Sequence, residues 1–344
     1  MGFIAIILVS FFLLCRLFLR NKKVIALGGV ALVAVCILLG IATKGSIFAR
    51  IPTLLADASV LTTDTSDFDY STVIPIRDIR QVKGNIEIDA KEESFIIQTE
   101  NQTPVITDKN NVPLPLVQQD NLLVLTLRSG DFLTFRTQRP KEDPSRAFLL
   151  MTLNQRSTFA FEMEQGGRMA WKSITGMTDM KLAHPEVSNY FIGKEKIGSA
   201  RGYIWGRTLP MLKSCIFLGK GPDTYALDFP QDDFLGKLYA YDDANMFIDK
   251  PHNIYMQRIH GNGFIGFLGL AVAMVIYLIQ FFKLYSLKKG YTSLELMGAS
   301  CGISIIGYLV AGIFNDPIIG VEPILWILWG AGIAINLLVK KERL

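Results

Sequence analysis

Five apolar runs, at about 3–19, 24–42, 264–282, 294–314 and 318–339, constrain this chain more than any other feature. Each is about 17–22 residues long, close to the ~20 that a helix needs to cross ~30 Å of hydrocarbon, where backbone groups must be satisfied within the helix. Half of the 344 residues are hydrophobic, which agrees. The fold class that follows is an α-helical integral membrane protein with about five transmembrane helices.

Orientation follows from the basic residues. Arg16, Arg20, Lys22 and Lys23 lie between the first two runs, Lys283, Lys288 and Lys289 between the third and fourth, and Lys340, Lys341 and Arg343 after the fifth. Positive-inside bias puts all three clusters in the cytoplasm. The expectation is a multi-pass cell-membrane protein with its amino terminus outside, a long extracytoplasmic segment from about 43 to 262, and a cytoplasmic carboxyl terminus. The turn at 315–317 then also faces outward. The first run starts at residue 3 with no basic flank before it, unlike a secretory signal. An N-out helix with almost no leader is the pattern of a chain cut from a longer helical array, so a preceding amino-terminal part is expected.

Of the four cysteines, Cys15, Cys36 and Cys301 lie in apolar runs, which leaves only Cys215 in the outer segment and no internal disulfide there. The net charge of +4 is largely the cytoplasmic turns and gives no reason to expect a nucleic-acid partner.

The chain therefore divides into 1–43 with two transmembrane helices, 44–175 as an extracytoplasmic β-rich domain, 176–262 as an extracytoplasmic helical loop, and 263–344 with three transmembrane helices and a cytoplasmic tail. In the β-rich part, short runs at 86–88, 95–97, 122–127, 132–135, 148–153 and 159–163 are separated by turn signals at 108–111, 129–131 and 165–167. This spacing predicts an antiparallel β-sandwich-like domain. Trp171 is its only tryptophan, as well suited to a core as to a glycan surface.

The chemistry-bearing residues cluster after it. Ser199 is placed to cap a helix that carries Arg201, Trp205 and Thr208 on one side, with Arg207 elsewhere. Pro210 and the Gly219-Lys220-Gly221-Pro222 turn end that element; the turn is not a P-loop, because no Gly-Lys-Ser/Thr follows. Asp249 is placed to cap a second helix with Lys250 and Pro251 in its first turn, followed by His252, Asn253, Tyr255 and Gln257, which runs about two turns to the glycines at 261 and 263. His252 is thereby expected at a helix start beside a membrane entry. Two further histidines rank lower: His260, two turns on and roughly on the same face, and His184, a loop residue before Pro185. Asp232, Asp233, Asp242 and Asp243 form acidic pairs, which seldom hold a cation alone, so no metal is assigned.

Arg201 and Trp205, then Leu218-Gly219-Lys220-Gly221-Pro222-Asp223-Thr224-Tyr225, His252-Asn253-Ile254-Tyr255-Met256-Gln257, Gly263-Phe264-Ile265-Gly266 and the Phe314-Asn315-Asp316 turn resemble, in that order, the carboxy-terminal domain of the O-antigen ligase and polymerase superfamily of bacterial envelope glycosyltransferases. The resemblance covers about 197–339. It implies inverting transfer of a glycan from an undecaprenyl-diphosphate carrier to an acceptor glycan or lipid, with no cofactor. His252 would be the general base on the acceptor hydroxyl, within ~3 Å of it. Arg201 would clamp the diphosphate leaving group through paired donors. Asn253 and Gln257 would orient sugar hydroxyls, with Trp205, Arg207 and Lys220, and secondarily Lys213, as further substrate contacts. Family members carry more helices than this chain, so a partner chain supplying the missing helices is one expectation. The β-rich insert is outside the shared core. The alternative is a noncatalytic or truncated envelope membrane protein whose outer domain binds glycan or a partner.

Overall fold

The computed structural model describes residues 51–343 apart from 66, 121, 175–177, 287 and 289, together with scattered residues of 26–41. The first two apolar runs, and with them the expected domain 1–43, lie largely outside the described residues. The chain forms two compact units. One comprises Thr63–Pro210 and Phe229–Ile248, the other Met1–Thr62, Met211–Asp228 and Asp249–Leu344. The expected helical loop 176–262 is thus shared between two units instead of standing as one segment.

The β-rich unit holds ten strands. A four-stranded sheet runs β1 (Ile76–Val82), β2 (Asn85–Ala90), β3 (Ser94–Glu100) and β4 (Thr103–Asp108); a six-stranded one runs β5 (Val117–Gln119), β6 (Leu122–Thr126), β7 (Phe132–Gln138), β8 (Phe148–Leu153), β9 (Ser157–Glu164) and β10 (Arg168–Lys172). In both sheets every strand pairs antiparallel with its sequence neighbour, so both are meanders. Strict alternation of buried and half-buried residues along β2 and β3 sets their register, because a one-residue slip would turn the apolar set outward. Two-residue hairpin loops at Lys83-Gly84 and Asn101-Gln102 have positive φ at both positions, the mirror-image turn whose twist matches the strands. Inward residues of both sheets, among them Ile88, Phe95, Phe135, Met151 and Phe161, share one core. This is the expected two-sheet arrangement, with strands β1, β4, β5 and β10 added to those read from the sequence.

Trp171 on β10 belongs to that core. Its indole lies 4.9 Å from the Phe234 ring, in a helix of the same unit.

The second unit contains α1 (Ile51–Leu61) and three long helices, which we number with the rest in chain order: α2 (Ile197–Met211), α3 (Tyr225–Asp228), α4 (Phe234–Tyr241), α5 (Ile254–Asn262), α6 (Phe264–Tyr285), α7 (Ser293–Ala311) and α8 (Glu322–Lys341). Helices α6, α7 and α8 are long and apolar enough to cross a membrane, the three that are so among the described residues, against five expected for the whole chain. On α6, Leu268, Val272, Val275, Ile276 and Ile279 are exposed, an apolar face that hydrocarbon satisfies and water does not. The opposite side packs by small-residue contact: Phe281 lies on Gly302 of α7, and Tyr277 on Gly332 of α8. The Tyr285 hydroxyl donates to Asn336 Oδ1 at 2.8 Å, a buried link between α6 and α8. Thr292 and Glu295 form a capping box that starts α7 at the residue after Thr292.

Candidate functional site

The start of α5 carries the most developed constellation. Asn253, with φ −155° and ψ 115°, is its cap: Oδ1 accepts from the backbone N–H groups of Tyr255 and Met256, each at 3.0 Å. The expected cap, Asp249, is displaced by four residues. The reason is local: His252 sits in the left-handed region at φ 51°, which a helix running through it does not permit. The Ile254 N–H is instead taken by the Gly312 carbonyl at 2.8 Å.

That bond is one of three that hold the α7–α8 turn against α5. The Asn253 Nδ2 donates to the Ile313 carbonyl at 2.9 Å, and the Tyr255 hydroxyl donates to the Leu309 carbonyl at 2.6 Å. Gly312 has no room for a side chain, since a Cβ there would run into Ile254. The turn is further closed by Asn315 Nδ2 donating to the Ala311 carbonyl at 2.8 Å. Asp316 is carried on this turn, and its Oδ2 lies 2.5 Å from His252 Nδ1. A carboxylate there accepts a hydrogen bond from Nδ1–H and fixes the tautomer, which leaves Nε2 as the unprotonated nitrogen. The imidazole is 42% exposed and the carboxylate only 12%, so the ring faces outward while the carboxylate is held inside. Asp316 Oδ1 is buried with no partner among the described residues.

Both side-chain ends of Asn253 are consumed by the backbone, which corrects the expectation that it touches substrate; it positions His252 and Asp316 instead. Gln257, one turn along α5, has a buried Oε1 with no partner among the described residues. His260, at the far end of α5, is buried beside Tyr225, ring centroids 5.3 Å apart, and its Nε2 lies 3.1 Å from Asp228 Oδ2. The glycine turn runs alongside: the N–H groups of Lys220 and Gly221 donate to the carbonyls of His260 and Gly261 at 2.7 and 3.1 Å. Gly219 passes so close to the Gly261 carbonyl that no side chain fits, so these glycines serve backbone packing. Lys213 and Lys220 are exposed.

Arg201, Trp205 and Arg207 belong to the β-rich unit. Gly198, Ser199 and Ala200 have φ of 64°, 60° and 65°, so the regular part of α2 begins at Arg201 and Ser199 is a left-handed link where a cap was expected. Arg201 Nη1 donates to the Gly198 carbonyl at 2.7 Å. The Tyr241 hydroxyl, whose pKa burial pushes up to about 12, is drawn down in part by the charge of Arg201. Trp205 meets Phe191 edge-on at 6.3 Å.

Arg207 is buried, correcting its expected contact with a phosphate. Its Nε donates to Asp233 Oδ2 at 2.9 Å and its Nη1 to Glu195 Oε1 at 3.2 Å, while the guanidinium lies 4.3 Å over the Tyr203 ring. Burial works to lower the Arg207 pKa, but the Asp233 charge overrides it and holds the value above the ordinary arginine range. The Tyr70 hydroxyl donates to the same Glu195 oxygen, and Tyr70 is held above the usual phenol value chiefly by burial. One member of each acidic pair is engaged by neighbouring groups. Asp233 also caps α4, accepting from Gly236 N–H at 3.1 Å, and Asp242 pairs with Arg156 at 3.3 Å.

Sequence reasoning named Asp316 and Asp233 without pairing them with His252 and Arg207, and did not name Glu195. A signal for Asp316 was present in Asn315-Asp316-Pro317, a polar turn between two apolar runs beside the expected membrane surface. In comparisons with protein-family models, curated proteins and solved structures, nothing matches this chain.

Proposed function

We propose that this chain is a membrane glycosyltransferase of the O-antigen ligase or polymerase kind, moving a glycan from an undecaprenyl-diphosphate carrier to an acceptor hydroxyl. The observation that carries the reading is the His252–Asp316 pair at the start of α5, which adjoins the long apolar helix α6. His252 Nε2 takes the acceptor proton, the acceptor oxygen bonds to the anomeric carbon, and the bond from that carbon to the diphosphate breaks with inversion. Asp316 stabilises the imidazolium that forms, and the leaving diphosphate carries away the bonding pair. Gln257 is assigned to sugar hydroxyls, and Arg201, which belongs to the β-rich unit, is kept as a separate candidate for a diphosphate contact. The competing reading is a noncatalytic envelope protein anchored by its helices; it is favoured by Arg207 and Asn253, whose side chains are spent within the protein.

Complementation of envelope strains deficient in ligase or polymerase, reading glycan length and attachment on gels, tests the assignment. Rescue by the chain, alone or with an added chain carrying further helices, and its loss with His252→Ala at unchanged protein level, is the expected result. Rescue that survives both His252→Ala and Arg201→Ala would remove the enzyme reading.

A further inference from the structure

The β-rich unit contains a cavity of about 330 Å³ between the β9–β10 hairpin and the segment 231–247. Phe159, Trp171 and Phe234 form a continuous aromatic wall, with ring centroids 6.1 Å apart for Phe159–Trp171, 4.9 Å for Trp171–Phe234 and 6.2 Å for Phe159–Phe234. Met180 lines it as well, and Phe247, 65% exposed, stands at its edge.

One cation in this lining makes no direct ion pair, although Asp233, Asp232 and Asp243 act on it from further off. Lys237 of α4 is 2% exposed, and its Nζ donates to the Gln231 carbonyl at 2.6 Å and to Gln231 Oε1 at 3.3 Å. Both acceptors are neutral oxygens, and Gln231 is held in place by bonds to Ile248, Nε2 to its carbonyl at 2.6 Å and Oε1 from its N–H at 3.2 Å. An ammonium has three N–H donors, so one remains. Among the described residues no carboxylate comes within ion-pair distance of Nζ. The other lysine in the lining, Lys172, is already bound to Asp179 at 2.6 Å and Glu162 at 3.5 Å.

We propose that this cavity is a binding site for a small monocarboxylate with a flat apolar body, the ring against Phe159, Trp171 and Phe234 and the carboxylate on Lys237 Nζ. A monoanion is the charge that fits. Asp232, Asp233 and Asp243 all act on the ammonium from nearby, and a phosphate dianion would add a second negative charge that a single lysine does not balance. A neutral sugar fits less well, because its several hydroxyls need partners that a mainly apolar lining does not supply. Aromatic rings give offset or edge contacts to a flat ligand at little conformational cost. Burial lowers the Lys237 pKa to about 8, with Asp233, Asp232 and Asp243 opposing it, so the ammonium needed for the pair is lost as pH rises past that value. The proposal is independent of the glycan-transfer reading.

The test uses the full chain in lipid nanodiscs, titrated with benzoate and with benzyl alcohol, its uncharged counterpart, by calorimetry and tryptophan fluorescence, with empty nanodiscs as the blank. Saturable benzoate binding about tenfold or more tighter than benzyl alcohol at pH 7, shrinking towards parity by pH 9.5, is expected. Lys237→Met should erase the difference and Lys237→Arg should retain part of it. Equal affinities for the two probes, no saturable benzoate binding above the blank, or a difference that persists in Lys237→Met would overturn the proposal. The wild-type probe pair and its pH series decide the matter even if Lys237→Met does not fold.

Discussion

Asp316 Oδ2 lies 2.5 Å from His252 Nδ1, across 64 residues of sequence and two of the long apolar helices. On the proposed function the carboxylate serves the imidazole as the third member of a catalytic triad does. It fixes which nitrogen holds the proton and stabilises the charge that appears when the other accepts one.

Replacing that carboxylate by an isosteric amide isolates the electrostatic part. Asp316→Asn should lower glycan transfer by roughly 10²–10⁴-fold while leaving expression and thermal stability close to wild type. An unchanged transfer rate would show that the pair is structural.

Asn253 supplies both a helix cap and the tie to the α7–α8 turn. Asn253→Ala should cost about 1–2 kcal/mol for the cap alone and loosen the turn that carries Asp316. Asn253→Asp should keep the cap but lose the bond to Ile313, so its melting temperature should fall between wild type and the alanine variant. Thermal denaturation of the detergent-solubilised chain gives the order.

The two arginines of α2 should separate cleanly. Arg207→Met leaves Glu195 and Asp233 as buried carboxylates without their cation, so roughly 3–5 kcal/mol of stability should be lost and little protein should accumulate. Arg201→Ala should fold normally and lose transfer. Measuring membrane-inserted protein together with glycan output distinguishes the two, and the reverse pattern would exchange their roles.

Lys237 has a pH signature of its own. Its folded pKa, about 8, lies below the ordinary lysine value of 10.5, so between these limits the unfolded chain binds more protons than the folded one. Stability should therefore rise with pH across this window, by at most about 3 kcal/mol from this group. Below about pH 8 the full cost of burying the ammonium is present. Chemical denaturation at pH 7.5 and 10.5 should show this gain in wild type and not in Lys237→Met.

Much of the architecture was legible because it is written in short-range pattern. The apolar runs at 264–282, 294–314 and 318–339 are helices α6, α7 and α8 within a few residues, since hydrocarbon thickness and helical rise set their length. The alternation at 86–88 and the apolar run at 95–97 marked β2 and β3, and the turns at 129–131 and 165–167 separate strands as expected. Local pattern failed at the helix starts. Both Ser199 and Asp249 have the right residue type, yet Ser199 lies in a left-handed link, and the cap of α5 is Asn253, whose carboxamide reaches the next two N–H groups of the helix and the Ile313 carbonyl at once.

The sequence by itself determined the number and length of the carboxy-terminal apolar helices, the antiparallel β-rich insert, and the region where histidine, asparagine and arginine concentrate, because each depends on the period and composition of one stretch of chain. Only the tertiary structure decided which of these polar groups are buried in ion pairs. Arg201 and Arg207 are six residues apart on one helix, and burial next to Glu195 and Asp233 makes the second a structural cation. His252 and Asp316 meet only because α7 and its turn return to the start of α5 through backbone hydrogen bonds at Gly312, Ile313 and Leu309. Charge pairing is a matter of a few ångströms in space, and separation along the sequence carries almost no information about it.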